Sequence, residues 1–238
     1  MAIYALSDLH LAISNPEKAM TVFGRGWDGY MEKIRDNCME KVGPEDTILM
    51  PGDLSWVMYL EDGTEDFKFI ESLPGTKLIG RGNHDYFWTT VKKMEKWICD
   101  QGFSTIKVIR NNAVRVEDSL VTGTRGWKLP VDDTFGEDDR KILDRELIRI
   151  KICIASLKKE DPEHKLRWIL MLHYPPLLKD YQETEMTALI EEAGVDICIY
   201  GHLHGRAHAN VFEGKRTENG TKYVCVSGDF IKFEPVKL

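Results

Sequence analysis

Seven side chains of metal-ligand type stand where short apolar runs end: Asp8, His10, Asp53, Asn83, His173, His202 and His204. Asp8 and His10 follow AIYALS, Gly52-Asp53 follows TILMP, and Gly82-Asn83-His84-Asp85 follows KLIGR. His173 closes LRWILML, and Gly201-His202-Leu203-His204 follows VDICIY. A lone Asp-x-His or Gly-Asp pair is an ordinary cap or turn. Five such endings in one chain ask for another reason. Imidazole mixed with carboxylate and amide oxygen suits Mn, Fe, Zn or Co better than calcium or magnesium. Seven donors exceed the four positions of a tetrahedral zinc. They suit two ions about 3.5–4 Å apart that share a bridging carboxylate and a bridging hydroxide. Five of the seven histidines, His84 among them, lie at these endings, whereas His164 and His208 lie elsewhere. Gly52, Gly82 and Gly201 supply tight turns where backbone must come close to bound ions or ligand.

The elements that position these groups follow from periodicity. Continuous apolar runs of this length suit strands covered on both faces. Between them, helices are expected at about 28–42, 62–73, 87–101, 137–160 and 183–193. In the fourth, Leu143, Leu147, Ile150, Ile154 and Leu157 form one stripe. Alternating strands and helices predict an α/β layered protein with its site outside the carboxyl ends of the strands. Residues 106–124 read as two hairpin turns, at Asn111-Asn112 and Glu117-Asp118. The tail at 221–235 reads as further antiparallel strands, so two mixed sheets are expected. No repeat or linker divides residues 1–238, which predicts a single domain. Within it, 128–160 is a candidate lid or insert, with 128–141 looping out first.

Composition narrows the class. The 238 residues are 42% hydrophobic and 30% charged, ordinary for a globular protein, and the formal charge of −7 offers no basic field for nucleic acid. No apolar stretch approaches a membrane span. The five scattered cysteines, Cys38, Cys99, Cys153, Cys198 and Cys225, have no zinc-ligand or redox spacing and read as buried thiols of a cytoplasmic protein.

With these blocks in this order from residue 8 to residue 204, the chain resembles the calcineurin-like metallophosphoesterases. The resemblance implies a four-layer α-β-β-α sandwich of two mixed β-sheets flanked by helices. It implies one metal on Asp8, His10 and His204, a second on Asn83, His173 and His202, and Asp53 bridging both. The cofactors would be two transition-metal ions, Mn, Fe or Zn. A hydroxide shared by the ions would attack phosphorus in line, with no covalent enzyme intermediate. His84 would serve as proton donor or phosphate contact beside Asn83, with Asp85 holding its other ring nitrogen. Where one branch of the family has a tyrosine ligand this chain has Trp56, whose indole cannot ligate, so no purple tyrosinate–iron chromophore is expected.

A small phosphorylated substrate, mono- or diester, is the expected partner. Arg25, Arg81, Arg125 and Arg206 each lie near a strand end, and Arg125, flanked by Gly123-Thr124 and Gly126, is the foremost candidate to fork onto phosphate oxygens. Trp27, Tyr86, Phe87, Trp88 and Trp127 are candidates for a pocket wall. Two alternatives stay open here: a nuclease acting on DNA or RNA, and a non-catalytic metal-binding scaffold of the same fold.

Overall fold

The structure is a computed structural model that describes residues 1–18, 20–218 and 220–238. In chain order its elements are β1 (Ile3–Ala5), α1 (Tyr30–Lys41), β2 (Thr47–Met50), α2 (Thr64–Ser72), β3 (Thr76–Ile79), α3 (Val91–Asp100), β4 (Ile106–Val108) and β5 (Val114–Val116). They continue with β6 (Ser119–Thr124), α4 (Glu137–Glu160), β7 (Arg167–Leu172), α5 (Glu185–Glu192), β8 (Ile197–Tyr200), β9 (Gly214–Lys215), β10 (Lys222–Cys225) and β11 (Val236–Lys237).

Strands buried on both faces send alternate residues into different layers. Ile48 and Met50 of β2 pack among Ile34 of α1, Phe67 of α2 and Met94 of α3. Leu49, between them, turns inward with Ile3, Ala5 and Leu78 against Ile169, Met171, Ile199 and Val224 of the other sheet. Leu170 and Leu172 face the opposite way, against Leu147, Ile150 and Ile154 of α4 and Met186 and Ile190 of α5. Two mixed β-sheets flanked by helices result, with an apolar seam between the sheets and another under each helical layer. Burying one such Leu or Ile side chain contributes roughly 1.5–3 kcal/mol.

The first sheet has the order β11-β1-β2-β3-β4, the second β5-β6-β7-β8-β10-β9. Pairing is parallel in both interiors, and the antiparallel partners β11, β5 and β9 sit at edges. Two expectations need correction. Glu117, at φ 54°, does turn β5 back onto β6. Asn111, at φ 62°, closes no hairpin: β4 pairs with β3 and β5 with β6, so the turn carries the chain from one sheet to the other. β10, read as antiparallel, pairs parallel with β8, and the antiparallel additions are the short β9 and β11.

α4 is a core layer. Its stripe is buried against the second sheet, and Glu146 on that face accepts hydrogen bonds from Thr124 Oγ1 (2.8 Å) and Gly126 N (3.1 Å). The candidate lid therefore shrinks to the loop before it. No helix among the described residues is long and apolar enough to cross a membrane. Cys38, Cys153, Cys198 and Cys225 are buried, as expected, and Cys99 is exposed.

Candidate metal centre

All seven donors lie just beyond strand ends, three loops from the first sheet facing two from the second. The loops are sewn together by backbone. Asp8 N donates to Gly52 O (3.0 Å) and His10 N to Asp53 O (2.9 Å), so the segment after β1 runs beside the segment after β2. On the other side His173 N donates to Arg125 O (3.0 Å) and Gly201 N to His173 O (3.0 Å). His202 N, shared between the Asp8 oxygens at 3.2 and 3.1 Å, joins the two halves.

Four of these residues hold left-handed backbone: Asp8 (φ 59°), His10 (φ 44°), Asp53 (φ 51°) and His202 (φ 74°). Such conformations cost on the order of 1–3 kcal/mol each and persist only where surrounding contacts impose them. Asp8 and His10 thus reach one crevice by reversed backbone, not by continuing the extended strand. Close packing adds its own constraint. A Cβ on Gly201 would overlap the Asp8 carboxylate, and one on Gly82 would overlap Asp53 Oδ1 and N.

The donors form two groups. Ligand atoms of Asp8, His10 and His204 lie within 4.8 Å of one another, as do those of Asp53, His173 and His202. Asn83 Oδ1, at 2.7 Å from His173 Nε2, joins the second group. Asp53 Oδ2 stands between them, 3.6 Å from His10 Nε2 and 3.4 Å from His173 Nε2.

Electrostatics fits cations here. Burial pushes the Asp53 carboxyl well up, and Asp85 and Asp8 push it further, so three buried carboxylates crowd one spot. Burial pulls His10 down to about 3 and His202 to about 4, leaving neutral imidazoles with free lone pairs. Nε2 of His10 and Nε2 of His204 face each other at 3.2 Å. Converging carboxylates and neutral imidazoles are the donor set of a transition-metal site.

The sequence pattern of the calcineurin-like phosphoesterases matches residues 1–206. The chain belongs to that family. It is accordingly a phosphoesterase of a dinuclear, metal-dependent class. No curated protein matches it in sequence. The phosphopantetheinyl hydrolase PptH of Mycobacterium tuberculosis shares the fold at 12% identity, with 100% of this chain and 95% of that one covered and a TM-score of 0.53. TT1561 of Thermus thermophilus does so at 13% identity, covering 99% and 97%, with a TM-score of 0.54. Likeness at such identities is a likeness of fold.

Within this phosphoesterase, Asp85 needs correction. Its carboxylate accepts hydrogen bonds from Asp53 N (3.0 Å), Leu54 N (2.7 Å) and Gly82 N (2.7 Å), and so fastens two ligand loops together. It does not orient His84, whose Nδ1 lies 3.2 Å from Tyr86 Oη. His84 is half-buried at the mouth of the site, and its backbone N donates to Asp53 Oδ1 (2.8 Å). Arg125 presents its carbonyl to His173 and lays its guanidinium over the Trp127 ring, 4.4 Å from the centroid. Of the four arginines, Arg206 lines a cavity at the site. Trp56 stacks on His10 at 4.9 Å, Trp27 meets it edge-on at 5.8 Å, and Phe87 and Trp88 are core.

Asp229 is the residue that motif reading missed. Its Oδ1 lies 2.7 Å from His204 Nδ1, and its Oδ2 accepts from Gly205 N (3.0 Å) and lies 3.2 Å from His208 Nε2. The signal was present: YVCV ends in Ser227-Gly228-Asp229, the same strand-then-Gly-Asp punctuation as at Asp53. A carboxylate behind a ligand histidine fixes its tautomer and raises its basicity. Asp229→Ala is expected to weaken metal binding at the Asp8–His10–His204 group by about 10–100-fold. Competition with a fluorescent chelator measures this; affinity within twofold of wild type would show that Asp229 does not support the ligand.

Burial alone would lower His204, but Asp8 and Asp229 raise it to about 10. Metal-free protein therefore carries a protonated His204 at pH 8, and loading must displace that proton. Calorimetry in buffers of different ionisation enthalpy should show release of about one proton at this group. The signs for stability are opposite. The raised His204 contributes stability that is present below about 6.5 and lost as pH rises through about 10. The depressed His10 and His202 withdraw stability as pH falls below 6.5 toward about 3–4. Metal-free Tm should therefore peak near neutrality.

Proposed function

We propose that the protein hydrolyses phosphate mono- or diesters at this centre by in-line attack of water on phosphorus. The observation that carries the reading is the position of Asp53 Oδ2 between the two donor groups, 3.6 Å from one ligand nitrogen and 3.4 Å from another. A carboxylate shared by two ion sites would stand there. Asp8, His10 and His204 would hold one ion and Asn83, His173 and His202 the other. Two such cations supply Lewis-acid neutralisation of the phosphoryl oxygens and acidify the attacking water.

The chain's own groups account for the rest. Asp85 holds the backbone of Asp53 and Gly82 in register, so that the Asp53 carboxylate and Asn83 keep their spacing. Left-handed backbone at Asp8, His10, Asp53 and His202 is set before substrate arrives, which is the preorganisation that electrostatic stabilisation requires. His84, half-buried at the rim, would give its proton to the departing ester oxygen, with Tyr86 Oη beside its other nitrogen. Arg125 and Arg206 remain candidates for contact with phosphate oxygens.

The test is a panel of phosphomonoesters and phosphodiesters on protein reconstituted with Mn²⁺, Fe²⁺ or Zn²⁺, with elemental analysis alongside. Turnover that disappears in His173→Ala supports the reading. Protein that binds two metals yet turns over no ester in the panel would sink it and leave a scaffold.

A further inference from the structure

Two separate cavities reach the centre, each with different members of the donor set in its wall. One, of 630 Å³, has His202 in its wall. The other, of 350 Å³, has His10, His204 and His84 in its wall. The ligand segment itself divides them: Leu203 and Ala207 face the larger, Gly205 and Arg206 the smaller. Both volumes fall within the roughly 300–1,000 Å³ typical of small-ligand sites. A phosphorus atom at the centre would have room for an organic substituent in each cavity.

We infer that the substrate is a small phosphodiester, held with one ester arm in each cavity. The inference rests on phosphoester hydrolysis at this centre and adds the kind of ester. A monoester has one arm and would leave one cavity without an occupant. A diester fills both, and hydrolysis breaks one P–O bond while water forms another, giving a monoester and an alcohol.

The walls assign the arms. The smaller cavity is bounded by Met20, Trp27 and Trp56, an apolar and aromatic lining suited to a flat or hydrocarbon group. His84 belongs to that wall, so the arm there is the one that leaves and takes up the proton. The larger cavity is lined by Leu129, Val131, Tyr174, Leu178, Tyr181 and Leu203. Asp132, Asp133 and Asp180 also line it, and its single lysine, Lys128, is already paired with Asp139 at 3.0 Å. That composition suits an amphipathic arm with an apolar body and hydroxyl or ammonium donors. It opposes a nucleic-acid strand, whose next phosphates would meet three carboxylates.

The experiment compares bis(4-nitrophenyl) phosphate with 4-nitrophenyl phosphate on the Mn²⁺-loaded protein, with a single-stranded oligonucleotide as a third substrate. The diester is expected to have a kcat/KM at least about tenfold above the monoester, since the second arm adds binding that the monoester cannot make. Ala207→Trp, which places an indole in the larger cavity, should lower the diester-to-monoester ratio at least about tenfold. A preference for the monoester, or a ratio unchanged in Ala207→Trp, overturns the diester inference alone. Oligonucleotide cleavage matching that of the diester overturns its small-molecule part. Turnover of none of the three by metal-loaded protein overturns the phosphoesterase reading beneath it.

Discussion

Asp53→Asn should lower kcat for an aryl phosphoester by about three orders of magnitude or more, because the change removes the one charge shared by both ion sites. The substitution keeps the side chain's shape, and the acceptor for His84 N (2.8 Å) survives as the amide oxygen. What changes is Oδ2, the atom between His10 and His173, which becomes an amide group unable to ligate. The expected result has two halves that point in opposite directions. Metal content falls, while the metal-free protein is at least as stable as wild type, since Asp53 sits buried beside Asp85 and Asp8 and is pushed well up by burial and by both. Elemental analysis, Tm without metal and turnover with Mn²⁺ read the three quantities. Retention of two metals with kcat within tenfold of wild type would remove Asp53 from the bridging position.

Gly82→Ala should be a severely damaging single-methyl change in the site. The methyl has nowhere to go: it would overlap the Asp53 backbone N, and also Asp53 Oδ1, which the hydrogen bond from His84 N holds in place. Asp53 N is held by Asp85 Oδ2 at 3.0 Å, and the same oxygen accepts from Gly82 N at 2.7 Å. The two loops must therefore separate, breaking the Asp85 bridge and moving Asn83 away from His173. Overpacking and loss of a buried hydrogen-bonded carboxylate each cost about 1–3 kcal/mol. Together, for a chain of this size, that lowers Tm by about 4–24 °C. Second-site metal should be lost together with activity. A variant that keeps its Tm and both metals would show that the loops adjust freely.

The donors were legible because the information is local. An apolar run of four to seven residues closed by Asp, Asn or His, in three of the five cases after Gly, identifies a strand and what stands at its end without knowledge of its neighbours. The α4 stripe was legible for the same reason, since Leu143, Leu147, Ile150 and Ile154 share a face by helical spacing alone. Strand direction was harder. β10 and an antiparallel strand have the same alternation, and only pairing with β8 separates them.

Side-chain aim was not local at all. Asp85 looked like a partner for His84 because they are adjacent, yet its oxygens find backbone N–H groups 31 and 32 residues away. Asp229 supports a histidine 25 residues earlier, and no short-range pattern couples them. The left-handed turns at Asp8, His10, Asp53 and His202 run against local preference.

By itself the sequence determined which side chains would stand at the strand ends and what chemistry they could do. Tertiary structure alone decided how they meet: Asp8 lies 3.2 Å from His204 across 196 positions of chain. It also decided that two separate cavities reach the centre. Residue type and periodicity are properties of a short segment. The direction of a side chain is set by the contacts that hold its backbone, and those come from the facing sheet.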